Sequence, residues 1–184
     1  MSKLALFLAD GFEEIEGLTV VDICRRCGLD LVTVSVMGRL DIMGSHQIPV
    51  KADLLLEDLD ADACDMLILP GGGVGTKNLE ACEPLMTLLD RFYGAGRYLA
   101  AICAAPSIFA HRGYLKGRKA TCHPSFVSHL EEGGAQHTGA PAQRDGFLLT
   151  GQAMGASLPF ALEIASVFAS PEKVEEVSRA ICKP

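Results

Sequence analysis

The 184-residue sequence has no tryptophan and few aromatics of any kind. Apolar residues still make up 49% of it, enough for a full hydrophobic core in a chain of this size. There is no basic excess: the formal net charge is −7, which argues against a general nucleic-acid binder, since such proteins carry a basic face. No apolar run is long enough to span a bilayer as a helix. The opening MSKLALFLADGFEE has a short apolar stretch followed at once by acids, with no small-residue cleavage pattern, so it is read as a buried strand and not a signal peptide. A cytoplasmic protein with no membrane partner is expected. Repeats, charge runs, low-complexity segments and linkers are all missing, so a single domain over residues 1–184 is expected.

The seven cysteines, Cys24, Cys27, Cys64, Cys82, Cys103, Cys122 and Cys182, are odd in number and cannot all pair internally. In a reducing compartment most are free thiols. Cys24 and Cys27 form a CxxC, but no second ligand pair accompanies it as a zinc site requires, and it falls mid-helix, which disfavours a redox role. No metal or cofactor is expected. The Gly71-Gly72-Gly73 run lacks the Lys-Ser/Thr pair of a phosphate-binding loop; Lys77 is followed by Asn78.

What is present is an alternation of strands and helices. Leu4–Ala9 is a continuous apolar run, as in a strand buried on both faces. Glu13–Cys27 reads as a helix stopped by Gly28. Further strands are expected at Leu31–Val36, Asp65–Leu69, Tyr98–Ile102, Lys119–Cys122 and Asp145–Thr150, with short extended pieces between Arg39 and Leu56. Helices are expected from Lys77, over Glu83–Tyr93, following Cys103-Ala104-Ala105-Pro106 as far as His111, and over Ser157–Phe168 and Pro171–Cys182. This order specifies an α/β fold with a mostly parallel sheet and helices on both faces. Ligand sites in such folds form at the carboxyl ends of strands. Three ends stand out: Ala9-Asp10-Gly11, Leu69-Pro70-Gly71-Gly72 and Ala101-Ile102-Cys103.

Cys103 follows an apolar strand and precedes small residues and a proline suited to a helix start. That places its sulfur on a tight turn like the nucleophile elbow of hydrolases, over a helix N-terminus that would lower its pKa, with the Ala104 N–H facing a forming oxyanion. The alternative is a small buried hydrophobe. Glu13, Glu14 and Glu16 open the first helix, where acids are usually solvated and dipole-stabilising; Glu16, flanked by Ile15 and Gly17-Leu18, is the one that could turn inward as an acid or base. His123, in a His-Pro turn after a strand, has the most site-like context of the five histidines, and a cysteine with a histidine partner is a nucleophile with a base.

Three stretches, Asp10-Gly11-Phe12-Glu13-Glu14-Ile15-Glu16, Leu69-Pro70-Gly71-Gly72 and Ala100-Ala101-Ile102-Cys103-Ala104-Ala105-Pro106, resemble the ThiJ/PfpI superfamily in its ThiJ-like branch, and the similarity runs over nearly the whole chain. The resemblance implies a flavodoxin-like three-layer α/β sandwich related to class I glutamine amidotransferases, forming a homodimer. It implies Cys103 as the oxidisable nucleophile, Glu16 as its protonated carboxyl partner, His123 as the nearby histidine, and Gly72 and Ala104 as oxyanion donors. It further implies cofactor-independent glyoxalase or deglycase chemistry on methylglyoxal, glyoxal or early glycation adducts, with redox sensing and holdase chaperoning as the alternative and peptidase or amidase activity as a second. Two departures stand out. His46 takes the place of an arginine beside a small anion site to which Arg26 also belongs. Ala153-Met154-Gly155-Ala156 replaces a Gly-Pro-Gly-Thr loop near the pocket.

Overall fold

The computed structural model describes residues 2–182. In chain order the elements begin β1 (Lys3–Leu8), α1 (Glu14–Arg26), β2 (Asp30–Ser35), β3 (Asp41–Met43), β4 (Pro49–Lys51), β5 (Leu54–Leu55) and β6 (Met66–Leu69). They continue with α2 (Gly73–Glu80), α3 (Glu83–Gly94), β7 (Tyr98–Ile102), α4 (Pro106–His111), β8 (Lys119–Ala120), α5 (Val127–Glu132) and β9 (Gln136–His137). The last are β10 (Ala142–Asp145), β11 (Leu148–Gly151), α6 (Ser157–Phe168) and α7 (Pro171–Ala180).

Seven strands form one sheet in the order β10-β11-β7-β6-β1-β2-β5, parallel throughout except for β10, which runs antiparallel to β11. The continuous apolar runs explain its central position. Along β1, Leu4, Leu6 and Leu8 pack with Val20, Ile23, Phe160 and Ile164 of α1 and α6. Ala5 and Phe7 point the other way, into a cluster with Leu79, Leu85, Leu89, Phe92, Ile108 and Phe109 of α2, α3 and α4. Side chains alternate across a strand, so only a strand apolar at every position can serve two cores. Each of the larger ones contributes about 1.5–3 kcal/mol through burial. The result is the three-layer sandwich the sequence leads one to expect.

The differences from the expected elements have local causes. The helix expected from Lys77 begins four residues earlier, at Gly73. Gly72 makes the turn, and burial of Thr76 and Leu79 draws the low-propensity glycines into the helix. The single strand expected over Asp145–Thr150 is a hairpin, β10 and β11, turning at Gly146 (φ +63°). Gln143 and Arg144 on the edge strand β10 hide its pattern. The strand expected over Lys119–Cys122 pairs only at Lys119–Ala120, and α7 stops at Ala180. Helix α5 and strand β9 carry too little periodicity to be foreseen.

In register, Leu69 of β6 faces Ala101 of β7, and Ile102 faces Gly151 of β11. The loops that leave β1, β6, β7 and β11 therefore emerge from the sheet side by side, and the candidate site lies among them.

Candidate active site

β7 ends at Ile102, and Cys103 then takes a left-handed backbone conformation (φ +66°) that non-glycine residues seldom adopt. Two backbone hydrogen bonds hold it there. Its N–H donates to Gly151 O at 3.0 Å, and its carbonyl accepts from His123 N–H at 2.9 Å. Ala104 and Ala105 lead into α4, with Pro106 in the first turn. The chain thus makes the elbow read from the sequence, and the Cys103 side chain is half-buried at the mouth of the sheet. Cys24, Cys27, Cys64 and Cys122 are buried free thiols. Cys24 and Cys27, the CxxC pair, lie at the end of α1, where burial pushes the Cys24 thiol up to about 12.

The groups acting on the Cys103 sulfur are the carboxyl of Glu16 and the backbone N–H groups of Gly72 and Ala104. Glu16 is in the first turn of α1 and is buried. Its Oε2 accepts from Gly71 N–H at 3.0 Å. Its Oε1 is enclosed without a well-aligned donor, so the carboxyl meets the thiol at a loose geometry. Gly71 and Gly72 make this approach possible. A Cβ on Gly71 would collide with Glu16 Oε2 and Cys103 Cβ. Gly72 has φ +96° and lies against the backbone of Gly11 and Glu13, where no side chain fits.

Burial raises the Glu16 carboxyl from 4.5 to about 7, and the Glu13 charge adds to this. Burial and the Glu16 charge push the Cys103 thiol up to about 12, while the Gly72 and Ala104 N–H groups work in the opposite direction. The expected lowering by the helix N-terminus is therefore outweighed. The six-residue α4 has a small dipole, and the low-polarity setting beside a carboxylate costs more than it returns. The two shifts belong to the pair. Two negative charges side by side are disfavoured, and one shared proton leaves a single negative charge. When that proton is on Glu16 the sulfur is a thiolate, facing a neutral carboxyl and two amides.

These groups open into a cavity of about 450 Å³ lined by Glu13, His46, His123, Ser125, Phe126 and Met154, among others. His123 belongs to it, but its Nδ1 accepts from Ser125 N–H at 3.2 Å. That leaves Nε2 carrying the proton in the neutral ring, so His123 is presented as a donor and not as the base for sulfur expected from the sequence. Ser125 and Phe126 had no signal in the sequence beyond their place just after His123. Met154 comes from the divergent Ala153–Ala156 loop, whose Ala153 and Gly155 also line the cavity.

Glu14 departs from expectation too. It is buried and not solvated, accepting from His46 N–H at 2.7 Å and Ser45 Oγ at 3.0 Å. Burial opposes its charge, but these hydrogen bonds and its own N–H hold the carboxyl at about 2. It pins the 44–46 segment and brings His46 to the cavity. Arg26 is not brought there. It lies at the far end of α1 and pairs with Asp22 at 2.6 Å, so within one chain His46 and Arg26 do not form a joint anion site. Ten helical residues, about 15 Å of rise, separate Arg26 from Glu16. Glu13, Glu14 and His46 are the one group of metal-type ligands found among the described residues, with donor atoms within 4.8 Å of one another, and Ser45 already bridges them.

A parallel α/β sandwich with a cysteine on a strand-to-helix elbow, a protonatable carboxyl against its sulfur and two backbone donors defines a class of cysteine-centred α/β proteins. The chain belongs to the DJ-1/PfpI family, which residues 2–167 match. It is 33% identical over 174 residues to protein DJ-1 homolog B of Arabidopsis thaliana, aligning over 94% of this chain and 39% of that protein. The chain thus spans well under half the length of that relative. It is 29% identical over 192 residues, covering 100% of both chains, to a Schizosaccharomyces pombe protein named glutathione-independent glyoxalase DJ-1. Among solved structures it superposes on a DJ-1 superfamily protein of Salmonella typhimurium with a TM-score of 0.93 at 31% identity, covering 100% of both chains. No helix among the described residues is long and apolar enough to cross a membrane.

The Glu16 shift has a direct consequence for stability. The unfolded carboxyl ionises near 4.5 and the folded one near 7, so its contribution is full below 4.5 and is lost as pH rises through 7. Glu16→Gln removes that loss. In urea titrations it gains up to roughly 2–3 kcal/mol over the native chain at about pH 8 and nothing comparable at about pH 4. An equal effect at both pH values would mean that the carboxyl ionises freely.

Proposed function

We propose that the protein is a cysteine-dependent, glutathione-independent glyoxalase, converting methylglyoxal or glyoxal to the corresponding hydroxy acid without a cofactor. The observation that carries this is the Glu16 carboxyl set against the Cys103 sulfur under the Gly72 and Ala104 N–H groups, opening into a cavity with room for a small carbonyl compound. The fission-yeast relative named for this activity supports it. The Cys103 thiolate adds to the aldehyde carbon, and Glu16 gives its proton to the resulting oxyanion. The Glu16 carboxylate then takes the proton from the same carbon, forming an enediolate held by His123 Nε2–H, and returns it to the neighbouring carbon, while the hydroxyl proton passes from the first oxygen to the second. The product is a thioester, which water cleaves to lactate and the free thiol. One water is consumed, the pair regains its proton, and one proton leaves to solvent with the lactate anion. Early glycation adducts present the same carbonyl chemistry to the same pair. A peptidase or amidase would need His123 to activate the sulfur, which its bond to Ser125 N–H does not favour.

Methylglyoxal turnover tests this. Cys103→Ser should abolish conversion, Glu16→Gln should lower kcat by about 10²–10⁴, and His123→Ala by a smaller factor. Equal rates for the native chain and Cys103→Ser would end the proposal.

One observation favours a redox-sensing role at the same residue. Four cysteines are buried, and of the accessible Cys82, Cys103 and Cys182, Cys103 has the Gly72 and Ala104 N–H donors around its sulfur to hold an oxidised product. Mild peroxide and then peptide mass spectrometry should find two added oxygens at Cys103 first; preferential oxidation elsewhere would count against it.

We also propose that a second copy of this chain covers the face formed by Ile15 and Leu18 of α1 with Met154 and Leu158. All four are exposed around one depression that adjoins the active-site cavity through Met154. Sedimentation should show a dimer that Leu18→Glu dissociates. A monomeric native chain would refute it.

A further inference from the structure

Resting on the glyoxalase reading, we infer that the cavity selects by charge. It takes uncharged and cationic carbonyl compounds and turns away those bearing a carboxylate or phosphate, and Glu13 and His46 set the selection.

The walls supply the argument. Among the described residues of a single chain, the titratable side chains lining the cavity are Glu13, Glu16, His46, Cys103 and His123, with no lysine or arginine. Glu13 shares the Ser45 hydroxyl with Glu14, 3.0 Å from each, and among the described residues no lysine or arginine pairs with it. Behind His46 lies Glu14, held ionised. His46 Nδ1 is 3.6 Å from Glu13 Oε2 and 3.3 Å from Glu14 Oε2, so the imidazole stands between two acids. Even doubly protonated it offsets only one of them, and above about pH 7 the ionised Glu16 carboxyl adds another negative charge. Arg39, on the adjoining segment, is taken up by Asp10.

The opposing field is local. The helix N-termini of α1 and α2 and the N–H groups of Gly72 and Ala104 put partial positive charge at the sulfur, where an oxyanion forms transiently. A substrate that brings a permanent anion must place it farther out, against Glu13 and the His46–Glu14 couple. Apart from Ser125 and the glycines, the rest of the wall, Phe126, Ala153 and Met154, is apolar and suits a methyl group or hydrogen in that position. A neutral ketoaldehyde meets no opposing charge there, whereas glyoxylate does.

Alkylation of Cys103 reads the bias without turnover. Rates with iodoacetamide and iodoacetate are measured on the Cys103 peptide by mass spectrometry, and their ratio is compared with that for 2-mercaptoethanol. The native ratio should exceed the reference on the order of tenfold, the effect of a unit charge roughly 10 Å away at an effective dielectric of about 20. Glu13→Gln, which keeps an acceptor for Ser45, and His46→Arg should each bring the ratio several-fold back toward the reference. The same variants should raise glyoxylate use relative to methylglyoxal. A native ratio equal to the reference, or one that neither variant moves, overturns the inference. Absent methylglyoxal conversion in a chain that shows the bias overturns the glyoxalase reading instead.

Discussion

The site depends on a carboxyl and a thiol set so close that the ionisation of one opposes that of the other. Glu16 and Cys103 are enclosed together, and neither can ionise without regard to the other. A lone cysteine in that position would be a buried thiol, and a lone glutamate a protonated acid. Together, with one proton between them, they offer either a nucleophile backed by an acid or an acid–base pair. The surrounding structure serves this arrangement. Gly71 donates to Glu16 and has no side chain to intrude, and Gly72 and Ala104 turn their N–H groups to the sulfur.

The fold maintains that arrangement against its cost. Cys103 is in a strained backbone conformation, held from one side by Gly151 and from the other by His123. Gly151 ends β11 of the main sheet, and His123 follows β8 of the separate β8-β9 pair, so the strain is offset by the pairing of β7 with β11 and by the two cores that press on the sheet from either face. The reactive position is thus rigid, as a site whose pKa values depend on sub-ångström contacts requires.

Around this centre the chain differs from the pattern that its resemblance implies. Histidine at position 46 sits between two glutamates, and Arg26 is committed to Asp22 at the other end of α1. The outer cavity therefore has an acidic balance, while the inner site is lined with donors. That separation lets the same cavity stabilise a transient oxyanion and oppose a permanent one.

Much of this was legible in the residues. The apolar runs at Leu4–Ala9 and Tyr98–Ile102 specify doubly buried strands because each face of a strand is recorded by every second residue. The Cys103-Ala104-Ala105-Pro106 run specifies an elbow because small residues and a first-turn proline leave the chain little else to do. Glycines at 71 and 72 mark a close backbone approach. What these patterns record is local, a matter of neighbours within a turn or a pleat. That Glu14 turns inward to hold His46, that His123 gives its Nδ1 to Ser125, that burial raises the thiol more than a helix terminus lowers it, and that Arg26 and His46 stay apart were decided by tertiary structure. Each depends on which distant loops the sheet order sets side by side and how much water they exclude, and neither quantity is written in the spacing of residues along the chain.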